Sequence, residues 1–150
     1  IEGYQSHSDR FLSLVAHDHL ADSESNMDSQ ILEGLTRSAS KMARELNAKA
    51  IAVCAKTGTT ARMISAERPP APIIAMSTDR RICSRMGLYW GVLPVVVEED
   101  VIKKPWNFVP DILKDTGIYD SPTDAGRYVL LVTLRDYAMA LTPSLKILVD

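Results

Sequence analysis

The feature that most constrains this chain is a change of texture at Asn47. Beyond it, short apolar runs at residues 50–54, 73–76, 92–97, 128–133 and 145–149 are separated by segments of helical or turn character. Runs this short, bounded by turn residues, read as strands, and candidate helices fall between them at 60–67, 79–88 and 108–115. Strands alternating with helices imply crossover connections, and therefore neighbouring strands that run parallel with helices packed on both faces. The last two runs are close enough in sequence to pair antiparallel. The expected fold is α/β: a three-layer αβα sandwich around a mostly parallel five-stranded sheet with one antiparallel edge strand.

Before Asn47 the period is different. Met27, Ile31, Leu32, Leu35, Ala39, Met42, Ala43 and Leu46 recur at intervals of three and four, which predicts an amphipathic helix. Ser25 with Asp28 resembles a capping box at its start, and Asn47 suits its stop. Phe11, Leu12, Leu14 and Val15 suggest an earlier helix, so residues 1–22 read as a lead-in segment with a first helix and 23–150 as one domain. A length of 150 residues is enough to bury a core without disulfide or metal staples.

Composition narrows the function classes. With a formal charge of -2 and its 17 basic residues scattered, the chain offers no stripe for nucleic acid. Cys54 and Cys83 both sit in apolar or helical stretches, as buried free thiols of a reducing compartment do. No stretch approaches the roughly 20 apolar residues that cross a bilayer, and the N-terminus lacks a signal pattern, so no membrane contact and a cytoplasmic location are expected. A translated chain needs an initiator methionine, and a sequence opening on Ile1 favours a fragment.

In parallel sheets, ligands collect beyond the carboxyl ends of strands, which directs attention to the segment after the first run. There Lys56, Thr57, Gly58, Thr59 and Thr60 gather three hydroxyls, one ammonium and the backbone amides of a helix start around one turn. Gly58 permits positive φ and close approach of the backbone, and the helix dipole favours negative charge, a combination that suits phosphate. The order is not that of a Walker A loop, because the lysine precedes the glycine. An N-capping turn with solvated threonines is the equal alternative from pattern alone.

Four ordered motifs carry a resemblance: Ala55-Lys56-Thr57-Gly58-Thr59-Thr60-Ala61, then Arg68-Pro69, then Ala71-Pro72-Ile73-Ile74-Ala75, then Leu88-Tyr89-Trp90-Gly91-Val92-Leu93-Pro94-Val95. Together they resemble the C-terminal α/β domain of pyruvate kinases, well from Met27 to Val97 and with strand-like continuation to Asp150. The resemblance implies a domain standing apart from the catalytic barrel of a parent chain, which transfers phosphate between phosphoenolpyruvate and ADP in glycolysis. It implies an allosteric site where Lys56, Thr57, Gly58, Thr59 and Thr60 grip a phosphorylated effector such as fructose 1,6-bisphosphate. A homo-oligomer is implied too, and magnesium and potassium belong by the same resemblance to the barrel, leaving no cofactor for this domain. Two departures stand out: Trp90 replaces an arginine common in the family, and residues 134–144 contain no glycine where activated members have a glycine-rich effector loop. Arg135, in that stretch, is a candidate second phosphate contact or a solvated loop arginine.

Elsewhere the signals are bland. His17 and His19 are two apart, so a helix would point them to different sides, and no Cys or His pair joins them into a metal site. Glu98, Glu99 and Asp100 could hold a cation, but three consecutive carboxylates at a strand end are more often a solvated turn. No nucleophile with a partnered base can be named, so no catalytic residue is assigned. Met42, Met63, Met76 and Met86 fall at core positions, while Trp90 and Trp106 adjoin turns, at a domain edge or an intersubunit patch.

Overall fold

A computed structural model describes residues 23–118, 128–133 and 144–149. Helix α1 (Ser23–Glu45) leads into β1 (Ala50–Cys54), α2 (Thr59–Ala66), β2 (Ile73–Ser77), α3 (Arg80–Met86) and β3 (Val92–Val96). Then come α4 (Glu99–Lys103), a 3-10 turn (Pro105–Asn107), α5 (Val109–Asp115), β4 (Tyr128–Thr133) and β5 (Ser144–Val149). The five strands form one sheet in the order β3-β2-β1-β4-β5. Pairings β1 with β2, β1 with β4 and β2 with β3 are parallel, and β4 with β5 is antiparallel. This is the α/β sandwich that the alternation of runs implies.

The two faces of the sheet are built from alternate residues of each strand. Ile51, Val53, Ile73, Ala75, Leu130 and Val132 form one core with Ala39 and Ala43 of α1, Ala61 and Ile64 of α2, and Cys83 and Met86 of α3. Ala50, Ala52, Cys54, Ile74, Met76, Val129 and Leu131 form the other with Ile102, Val109 and Leu113 from α4 and α5. Every residue of β1 is buried because it is covered on both faces and paired on both edges. Removing one large side chain from such a layer, as in Ile51→Ala, costs about 2–5 kcal/mol.

Strand order explains why the helices divide as they do. The chain steps from β1 through β2 to β3 in one direction, then returns past β1 to place β4 on its other side. Crossovers of one hand lie on opposite faces when the direction of travel reverses. Helices α2 and α3 accordingly cover one face, and α4 and α5 the other.

Helix α1 carries the expected stripe: Thr36, Ala39, Ser40 and Ala43 are buried, with Met42 and Leu46 packed partly against the core. Ile31 leaves the stripe and is 40% exposed. The small residues at 39, 40 and 43 let the helix lie close to the sheet. Its exposed side is tied by Glu33 to Arg37 and by Lys41 to Glu45, pairs one turn apart worth a few tenths of a kcal/mol each. At its end Asn47 takes φ 49°, with Ala48 N–H donating to Ala43 O at 2.9 Å and Asn47 N–H to Arg44 O at 3.4 Å, the bonding of a Schellman stop. The start differs from expectation. Ser25 and Asp28 lie inside the helix, which already runs from Ser23, so they do not bracket its first turn.

A second correction concerns Glu98, Glu99 and Asp100. They are not a simple turn: Glu98 occupies the N-cap position of α4, with Glu99 and Asp100 in its first turn, where negative charge opposes the helix dipole favourably. Among the described residues no group of three or more His, Cys, Asp or Glu side chains is placed to hold a metal ion. Nor, among them, is any helix long and apolar enough to cross a membrane.

The edge of the sheet at β3 offers few free donors. Ile73 N–H donates to Gly91 O and Val97 N–H to Ser77 O, so the odd-numbered peptide groups of β3 face β2 and the even-numbered ones face outward. On that outer side Val92 N–H is already taken by Tyr89 O at 3.3 Å, and Pro94 has no N–H to offer. Only Val96 is left to donate, so β3 is a poor template for another strand.

Candidate anion-binding turn

The turn begins where β1 ends. Ala55 N–H donates to Met76 O at 2.8 Å, the last rung between β1 and β2, and the chain then leaves the sheet. Lys56 and Thr57 are exposed, Gly58 is buried, Thr59 is half-buried and Thr60 is only 3% exposed. Gly58 adopts φ 85° and ψ -2°, a left-handed conformation that a residue with a Cβ enters only at a cost. Its carbonyl accepts the first bond of α2, from Arg62 N–H at 3.0 Å. The amides of Thr59, Thr60 and Ala61 precede that bond, so the helix supplies them no acceptor.

Nothing caps this helix by side chain. Gly58 itself holds the N-cap position, and the hydroxyls of Thr57 and Thr59 lie 2.9 Å apart, bonded to each other. Thr57 stands before the cap and Thr59 after it, so neither occupies the position from which a threonine caps. The first turn of α2 also lacks an acidic residue, so the positive end of its dipole is not neutralised from within the helix.

The structure separates the three threonines. Thr57 and Thr59 are presented together, whereas Thr60 lies on the buried side of α2 with Ala61, Met63, Ile64 and Ser65. Behind the turn stands α3: a Cβ on Gly58 would meet Met86 Cγ at 3.1 Å, Met86 Sδ at 3.6 Å and Ile82 Cγ2 at 3.8 Å. Those two residues form the floor of the turn. They are more than twenty positions away in sequence, and no local pattern marks them.

Strand order adds what periodicity cannot. Because β2 and β4 flank β1 on opposite sides, the segment after β1 sits at the point where the chain reverses its direction of travel, the crevice in which open parallel sheets bind ligands. Arg135 and the glycine-free stretch at 134–143 follow β4, and they lie outside the described residues, as do His17, His19 and the lead-in segment.

Trp90 is placed far from this crevice. It precedes β3, at the amino ends of the parallel strands, and the turn follows the carboxyl end of β1. Ser65, near the last turn of α2, donates its hydroxyl to Trp90 O at 2.6 Å, and the Arg68 guanidinium stands 4.7 Å above the indole. Trp90 is 51% exposed, so it fills an edge at the opposite end of α2, about 12 Å along the helix from Gly58. Trp106 is also exposed, with the Lys146 ammonium 4.1 Å from its ring centre.

The two thiols are free and buried. Cys54 closes β1, and loss of solvation pushes its pKa up to about 12. Burial also raises that of Cys83, against a hydrogen bond with the Ser77 backbone that lowers it, and the Asp79 charge raises it further. A thiol held neutral is neither nucleophile nor metal ligand.

Comparison with known proteins agrees with this architecture. Residues 33–126 match the model of the pyruvate kinase alpha/beta domain. The pyruvate kinase of Lactobacillus delbrueckii subsp. bulgaricus is 40% identical over 79 residues, covering 53% of this chain and 13% of that protein. Chloroplastic pyruvate kinase isozyme A of Nicotiana tabacum is 33% identical over 98 residues, covering 65% of this chain and 16% of its own. A structure of Cryptosporidium parvum pyruvate kinase in complex with ADP shares the fold with a TM-score of 0.63 at 23% identity, over 79% of this chain and 23% of that one. The chain thus spans less than a fifth of the length of these two curated relatives. With the matched segment running from α1 through α5 and including the turn at Lys56 to Thr60, the chain belongs to the pyruvate kinase alpha/beta domain family.

Proposed function

We propose that this chain is the regulatory and subunit-interface domain of a pyruvate kinase, and that it binds a phosphorylated small-molecule effector at Lys56, Thr57, Gly58, Thr59 and Thr60. The observation that supports this most is the uncapped start of α2 at the reversal point of the sheet, with Gly58 in the left-handed region and two hydroxyls beside it. An incoming phosphate would accept from the amides of the first turn and from Thr57 and Thr59, whose mutual bond opens to face it. Lys56 adds charge, and Arg135 is the candidate for a second phosphate contact.

Phosphoryl transfer from phosphoenolpyruvate to ADP belongs, in this reading, to the barrel of the parent chain together with its magnesium and potassium. The domain acts by biasing the quaternary arrangement of a homo-oligomer, which requires the effector to bind one arrangement more tightly than the other. The glycine-free stretch between β4 and β5 favours a second reading, in which the effector has been lost and assembly alone remains.

Calorimetric titration with fructose 1,6-bisphosphate, other sugar phosphates and nucleotides separates the two. Binding weakened roughly tenfold or more by Thr57→Ala or Thr59→Ala supports the effector site, since a hydrogen bond to a charged group contributes about 1.5–3 kcal/mol. Heats identical in wild type and variants would remove the turn from the account. Absence of any heat, with a concentration-dependent dimer in the ultracentrifuge, selects the assembly module.

A further inference from the structure

We draw no further inference here: the strongest candidate, the outer edge of β5 with the exposed Ile147 beside the Lys146–Trp106 pair, is a surface on which another strand could pair, but nothing in the structure shows what covers it.

Discussion

Gly58 and Met86 are fitted to each other: the glycine at φ 85° lies so close to the buried methionine that a Cβ would stand 3.1 Å from its Cγ. Two penalties therefore meet at one position. Gly58→Ala forces a side chain into the left-handed region, at about 1–2 kcal/mol, and also requires Met86 to shift. Gly34 provides the contrast, since it lies exposed within α1 with nothing within 4 Å of an added Cβ. Gly34→Ala is expected to stabilise by roughly 0.5–1 kcal/mol through helix propensity. Urea midpoints moving in opposite directions for the two variants would bear this out; two shifts of the same sign would not.

The Ser65–Trp90 bond ties the end of α2 to the start of β3. Ser65 is 5% exposed, so Ser65→Ala removes a donor from a largely dry site and leaves the Trp90 carbonyl short of a partner. The expected loss is about 1–2 kcal/mol. Chemical denaturation followed by tryptophan fluorescence measures it, and a loss below a few tenths of a kcal/mol would mean that water replaces the hydroxyl.

Cys54 links stability to alkaline pH. Its thiol ionises near 9.0 when exposed and at about 12 when buried, so between these values the unfolded chain has released a proton that the folded chain retains. Stability is complete below pH 9 and falls as pH rises toward 12, by up to about 1.4 kcal/mol per pH unit from this group. Cys54→Ala should flatten that slope when unfolding is followed from pH 8 to 10.5. At pH 8 a disulfide reagent is expected to leave Cys54 unmodified until urea unfolds the chain; fast labelling of the native protein at this residue would contradict the burial described.

Pro94 guards the outer edge of β3. Pro94→Thr would restore an outward N–H midway between Val92 and Val96, giving a second strand a donor to pair with. Sedimentation velocity is expected to show greater self-association for the variant. An unchanged distribution would assign the protection of that edge to other features.

What could be read from the residues in order, and what could not, divides along a physical line. Short continuous apolar runs announce buried strands, and periods of three to four announce helices, because both record which faces are buried. On that basis β1, β2, β4 and the body of α1 were legible. The glycine turn was legible too, since a positive φ is a local demand that few residues satisfy. Short helix α4 was not, because an acidic N-cap followed by two acidic residues in its first turn shows no apolar period.

The sequence by itself determined the class of fold, the identity of its main elements and the chemistry gathered at Lys56 to Thr60. Only the tertiary structure decided that β4 lies beside β1, that Thr60 turns inward while Thr57 and Thr59 stand together, that Met86 forms the floor beneath Gly58, and that Trp90 sits at the far end of α2. The reason is the range of the forces involved. Backbone preferences and burial periodicity act over a few neighbours, whereas strand order and the contacts behind a turn are set by packing between segments that meet only when the whole sheet has assembled.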